Sequence, residues 1–176
     1  GSGGIVSLMR MQVGADANDP PFDDGGVPDA ELGADALGDL IAFARFLAPP
    51  TPVPLSAAAQ AGEAHFEALG CTACHVPSLP SSRGPVNAYT DLLLHDMGPE
   101  LADLIRLGDN SNALNDFRTQ PLWGVSLSGP FLHDGRAATL EEAIVAHAGE
   151  ASESRDAFLA LGEAEREDLI TFLEHL

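Results

Sequence analysis

Apolar residues return at helical spacing between about Gly33 and Ala48, at Leu37, Leu40, Ile41, Ala44 and Leu47, which predicts an amphipathic helix. Pro49 and Pro50 end it, because proline lacks a backbone donor and disfavours helix in the residue before it. The run from Pro49 to Pro54 then reads as a stiff linker. Ser56 is suited to cap a second helix reaching Leu69, with Ala58, Ala61, Phe66 and Leu69 as its buried stripe and Gly70 at its end. A short helix is expected over Glu100 to Leu107, stopped by Gly108-Asp109-Asn110. Thr139 followed by Glu142 is a capping box, so a helix should span Leu140 to His147, with Gly149 ending it. Another is expected over Glu153 to Leu161, and a last one from Glu163 to Leu176, striped by Leu169, Phe172, Leu173 and Leu176. The pattern predicts no strand and contains no internal repeat.

The stretches between these helices are as informative. Residues 1–30 carry Asp16, Asp19, Asp23, Asp24 and Asp29 among Gly and Pro without a sustained period, an acidic, loop-like lead-in. Residues 76–90 and 108–136 are irregular, and loops that long suit a chain folded around a ligand. The expected organisation is therefore the lead-in over 1–30, a helix and Pro-rich linker over 31–54 that is the remnant of a preceding domain, and one domain over 55–176.

At 176 residues and 45% hydrophobic content the chain supports a single packed core. Its net charge of −19, with eight Arg and no Lys, argues against nucleic acid or an anionic membrane and would steer a basic protein toward it. Solubility explains the same acidity, so charge says little by itself about function. No stretch reaches the roughly 18 apolar residues of a membrane span. Gly1-Ser2-Gly3-Gly4 has neither the charged start nor the apolar core of a signal peptide and reads as an added remnant, with any export signal lying outside this sequence.

Both cysteines fall in Cys71-Thr72-Ala73-Cys74-His75, the C-x-x-C-H pattern of haem c attachment. Two thiols at this spacing can add across the two vinyl groups of one haem, and the adjacent imidazole can reach the iron. A thioredoxin-like dithiol would want a βαβ setting, and a zinc site a second Cys/His pair at ligand spacing; neither is present. The expected fold is all-α, a cytochrome c-like helical domain wrapped around one covalent haem with long loops, and His75 is its first axial ligand. For the second, thioether and imidazole chemistry leaves Met97, His95, His133 and His147 open. His65 is more simply a packing or surface residue, and His175 a solvated residue at a terminus.

Three runs carry a resemblance: Phe117 to Val125 (FRTQPLWGV), Ser128 to Arg136 (SGPFLHDGR) and Thr139 to Ile144 (TLEEAI). Together they resemble the C-terminal haem domain of bacterial di-haem cytochrome c peroxidases and the MauG group. The similarity is strongest to their di-haem thiol oxidoreductase-like relatives, which would also account for Leu94-His95-Asp96-Met97-Gly98-Pro99, and it covers about Ala58 to Leu176. In that family the residue fourteen positions after the His of the His-x-Gly turn is the distal ligand, which here makes it His147, with Met97 next and His133 a pocket-wall histidine. The resemblance implies His75/His147 coordination, and two imidazoles give a lower potential than His/Met. It also implies a calcium ion held partly by carbonyls of Ser128 to Pro130, although the other side of that site is not identifiable.

The family has two haems, whereas this chain has one C-x-x-C-H and only a final helix, 33–48, in place of the N-terminal haem domain. The implied function is one-electron transfer through a six-coordinate haem, as part of a di-haem oxidoreductase with a redox partner protein or a second haem domain. No catalytic residue is assigned. The alternative is a peroxidase-type enzyme acting at the haem once the distal ligand is lost, and a third reading is a purely structural haem. Trp123 is a core aromatic against the haem or a stepping-stone for electrons. Covalent haem implies a periplasmic, cell-surface or secreted location.

Overall fold

The computed structural model describes residues 34–48, 50–51, 53–103 and 114–176. The acidic lead-in and the latter part of the expected Glu100 to Leu107 helix lie outside them. The chain divides into two compact units, residues 1–48 with 106–111 and residues 49–105 with 112–176.

The first unit contains α1, Ala34–Phe46, with Asp35 in its first turn and Arg45 in its last, each complementing the helix dipole. None of its residues is buried, and Leu40, Phe43 and Phe46 of its apolar positions are exposed.

In the second unit α2 spans Ala57–Ala68, and the Ser56 side chain accepts the Ala59 N–H at 3.1 Å as its cap. Its buried face is Ala59, Gly62 and Phe66, so the stripe lies slightly round the helix from the expected Ala58 and Ala61. That face meets the last helix, numbered α5 in chain order, Glu163–Glu174, which buries Leu169, Phe172 and Leu173. Gly62 is the contact point: a Cβ there would fall 2.0 Å from the Asp168 carbonyl oxygen and 2.8 Å from Phe172 Cβ. The helices therefore touch backbone to backbone, which only glycine permits. Around the crossing, Phe66, Tyr89 and Phe172 pack as a ring cluster, with centroids 5.4 to 6.1 Å apart, and Val125 and Phe158 complete the core.

Helix α3, Leu140–Ala146, opens on the expected capping box: Thr139 Oγ1 accepts the Glu142 N–H at 3.1 Å, and Glu142 Oε2 accepts the Thr139 N–H at 3.2 Å. Helix α4, Ser152–Ala160, buries Phe158, and at the start of α5 Glu165 accepts the Gly162 N–H at 2.8 Å.

Two expectations are corrected. The fold is mostly helical rather than all-α, because β1 (Leu94–Asp96) and β2 (Asp116–Arg118) form an antiparallel pair that matches His95 with Phe117. Strands of three residues are too short to display an alternating pattern, which is why sequence periodicity misses them. The expected helix from Glu100 does not begin there: residues 99–101 form turn and bend, and the Asp103 N–H donates to the Leu114 carbonyl instead of to its own turn. Among the described residues no helix is long and apolar enough to cross a membrane.

Candidate functional site

Helix α2 delivers the chain to the two cysteines. Gly70 breaks it with φ +80°, a left-handed turn that suits glycine, and Cys71–Ala73 follow as one 3-10 turn closed by the His75 N–H to the Cys71 carbonyl at 2.9 Å. The thiols are not joined to each other. Burial pushes Cys71 up to about 11, and Cys74 is raised by burial and by the carboxylates of Asp91 and Glu150. Both are S–H groups at neutral pH, the form consumed when sulfur adds to one vinyl carbon and hydrogen to its neighbour.

His75 Nδ1 lies 3.0 Å from the Tyr89 carbonyl oxygen, which can only accept, so this nitrogen carries the proton and the Nε2 lone pair is left for a metal. Burial drives the imidazole down to about 4, keeping it neutral. Tyr89 has φ +52°, a conformation that costs a non-glycine residue about 1–2 kcal/mol, and it is held there while its ring packs on Phe66 and Phe172. Thr90 secures the same segment, its N–H donating to Val76 O at 3.0 Å and its hydroxyl to Thr119 O at 2.7 Å.

His147 caps the C-terminus of α3, where the backbone turns to φ −60°, ψ 129°. Its Nδ1 donates to the Ala143 carbonyl at 2.7 Å, which again leaves Nε2 unprotonated, and burial lowers its pKa. Its own carbonyl accepts from Arg155 at 3.1 Å. The two histidines lie near enough that charge on His147 further depresses His75. This donor set meets the requirements of a covalently held haem: paired thiols on one turn, and two neutral imidazoles each presenting Nε2.

The other candidates are placed differently. Both ring nitrogens of His95 face carboxylates, Nε2 to Asp91 at 2.8 Å and Nδ1 to Glu150 at 2.9 Å. His133 pairs with Asp103 at 3.2 Å and stacks on Phe117 with centroids 4.1 Å apart. Met97 is half-buried, its N–H bonded to the Asn115 carbonyl. His175 donates to Thr171 O at 2.7 Å, His65 is half-buried on α2, and Trp123 is 37% exposed, outside the buried core. Sequence reasoning passed over Asp91 and Glu150, whose donor atoms converge with His95, and with Cys74 in the case of Asp91. No local signal marks Glu150, which is 55 positions from His95.

Residues 19–176 match the family described as "Di-haem oxidoreductase, putative peroxidase". A curated relative, the methylamine utilization protein MauG of Methylorubrum extorquens, is 30% identical over an alignment of 118 residues that covers 61% of this chain and 31% of that protein. The chain thus spans about a third of the length of this relative. Among solved structures, the hydrazine synthase of Kuenenia stuttgartiensis, pressurised with xenon, aligns with a TM-score of 0.58 at 23% identity, over 82% of this chain and 56% of that one, a likeness of fold. A MauG-like protein associated with microbial copper homeostasis aligns with a TM-score of 0.45 at 26% identity, over 70% of this chain and 47% of that one.

Proposed function

Because this chain belongs to the di-haem oxidoreductase family, its role is haem-based redox chemistry, and we propose that it is a c-type cytochrome domain passing single electrons through one six-coordinate haem. In this reading Cys71 and Cys74 would form the thioether anchors, and His75 and His147 would supply the protein ligands of the iron. A haem held in this way cycles between ferric and ferrous states, one electron at a time. The chain's own part is to keep both imidazoles neutral by burial and to fix their Nδ1 protons on the Tyr89 and Ala143 carbonyls, so that neither ring rotates or changes tautomer. The observation that carries the proposal is this matched pair of half-buried histidines, each with Nδ1 committed to a backbone carbonyl, against His95 and His133, which are already engaged with carboxylates.

The family description also names a peroxidase. Peroxide needs an open iron position, so a peroxidase built on this chain would draw on a second haem domain, supplied as a redox partner, or on displacement of His147. Covalent haem attachment outside the bacterial cytoplasmic membrane would put the protein in the periplasm, at the cell surface or in the medium.

The test is low-temperature EPR of the oxidised, haem-loaded protein beside His147→Ala. The wild type should give a two-imidazole low-spin signal and the variant a high-spin one, with cyanide and carbon monoxide binding readily only to the variant. A low-spin signal unaltered by the substitution would remove His147 from the iron. Ready cyanide binding by the wild type would favour the peroxidase.

A further inference from the structure

The segment Asp91 to Gly98 holds a structure that neither axial position uses. Its centre is His95, mostly covered, with a carboxylate against each ring nitrogen: Asp91 Oδ2 at 2.8 Å and Glu150 Oε2 at 2.9 Å. A carboxylate only accepts, so both nitrogens must donate and the ring is an imidazolium. Asp91 follows Tyr89 and Thr90, and the Tyr89 carbonyl orients His75. Glu150 lies in the short 3-10 turn, Gly149–Ala151, that follows His147, and its other oxygen accepts the Asp96 N–H at 3.1 Å.

Backbone contact joins the same two segments. Gly149 has φ +54°, and a Cβ on it would fall 2.1 Å from the Asp96 carbonyl oxygen and 2.6 Å from Gly98 N. Gly98 has φ +82°, and its Cβ would fall 3.0 Å from Gly149 N. The turn after His147 therefore sits directly on the exit of β1. His147 needs such a seat, because it is the C-cap one position past a seven-residue helix and its backbone has already left helical geometry.

Resting on the assignment of His147 as axial ligand, we infer that His95 is a positioning residue, an imidazolium strut between Asp91 and Glu150 that fixes the support of one axial imidazole relative to the other. One end of the strut holds the segment that orients His75, and the other holds the turn that carries His147. Loss of the strut leaves the thioethers and His75 in place and lets His147 leave the iron more often. Outer partners of this kind typically change metal-ligand affinity about 10–100-fold.

The experiment uses the haem-loaded protein with wild type, His95→Ala, Glu150→Ala, Glu150→Gln, the His95→Ala/Glu150→Ala double variant and His147→Ala. Haem content is checked by Soret absorbance and protein mass, and the readouts are the rate of carbon monoxide binding to the ferrous protein, the EPR signal and the reduction potential. His95→Ala and Glu150→Ala should each bind carbon monoxide about tenfold faster or more and show a raised potential. The double variant should be no worse than either single one, because both remove the same link, and Glu150→Gln, whose single oxygen can keep the bond from His95 or the one from Asp96 but not both, should lie between. If His95→Ala does not mature, the exposed Glu150 variants carry the test. Should His147→Ala change the signal while His95→Ala and Glu150→Ala match wild type in all three readouts, the strut is refuted and the ligand stands. A wild-type signal in His147→Ala refutes the ligand assignment, and the strut with it.

Discussion

Cys71 and Cys74 share one turn but not one environment, since Cys71 packs against the core and Cys74 faces Asp91 and Glu150. Replacing Cys71 by Ala should leave a haem attached through the single thioether of Cys74, with one vinyl group still conjugated to the ring. The pyridine haemochrome α band should then move to longer wavelength, and loss of all covalent haem would show that Cys74 cannot anchor it alone. His95 makes a pH prediction, in surroundings that include Asp91, Glu150, Asp96, Cys74 and His75. Hydrogen bonds to Glu150 and then Asp91 raise its pKa, so its contribution to stability is complete below the unfolded value and is lost as pH rises through the raised one. Glu150 is lowered by its bond from His95. Asp91 is lowered because bonds from Leu93 and His95 outweigh its desolvation, so the carboxylates' share is lost as pH falls through their lowered values. The difference in urea midpoint between wild type and His95→Gln should therefore be greatest between about pH 4.5 and 6.5 and shrink as pH rises through the raised His95 value. A difference that stays flat over this range would show that the imidazolium bridge adds no stability. These cases also separate what sequence can show from what it cannot. Cys71, Cys74 and His75 fall within five residues, so their motif can be read from spacing alone, whereas the carboxylates around His95 come from two segments that only folding brings together.

At the scale of elements, the α2–α5 crossing turns on Gly62. Gly62→Ala would place a methyl group on the Asp168 carbonyl, and separating the helices should cost about 1–3 kcal/mol. Thermal melting followed by far-UV circular dichroism should show a loss of about 2–4 °C per kcal/mol, and an unchanged midpoint would mean the crossing can open at no cost. Thr139→Ala removes the cap of α3 and should cost about 1 kcal/mol. Because α3 ends at His147, the same variant should also speed carbon monoxide binding to the ferrous protein, an effect that a cap remote from the iron would lack. The capped helices were legible because their caps and stoppers are local: Ser56, Gly70, and Thr139 with Glu142 each act within a few residues of the end they define. The buried face of α2 was legible only approximately, since Gly62 has no side chain to mark it as apolar. The β1–β2 pair was not legible, because its register is fixed by contacts between distant segments and not by the residues within either strand.

At the scale of the whole chain, the proposal assigns one redox centre to the single C-x-x-C-H motif, while the family is one of di-haem proteins and the chain spans 31% of its MauG relative. On the proposed reading electrons pass to or from another molecule or domain, and the most general physical handle on that exchange is charge. With a net charge of −19, the chain carries a field that draws in a basic protein and repels an acidic one. Steering of this kind raises association rates about 10–1,000-fold at low salt and fades as the Debye length shortens from about 30 Å at 0.01 M to about 3 Å at 1 M. Stopped-flow reduction of the haem-loaded protein by a small basic redox protein should thus slow at least about tenfold between 0.01 M and 0.5 M salt. An uncharged mediator supplies the control, because its encounter rate owes nothing to the field, and its rate should stay nearly constant. If the basic protein also reacts at a salt-independent rate, then the acidity serves solubility alone and the contact surface must be recognised by shape.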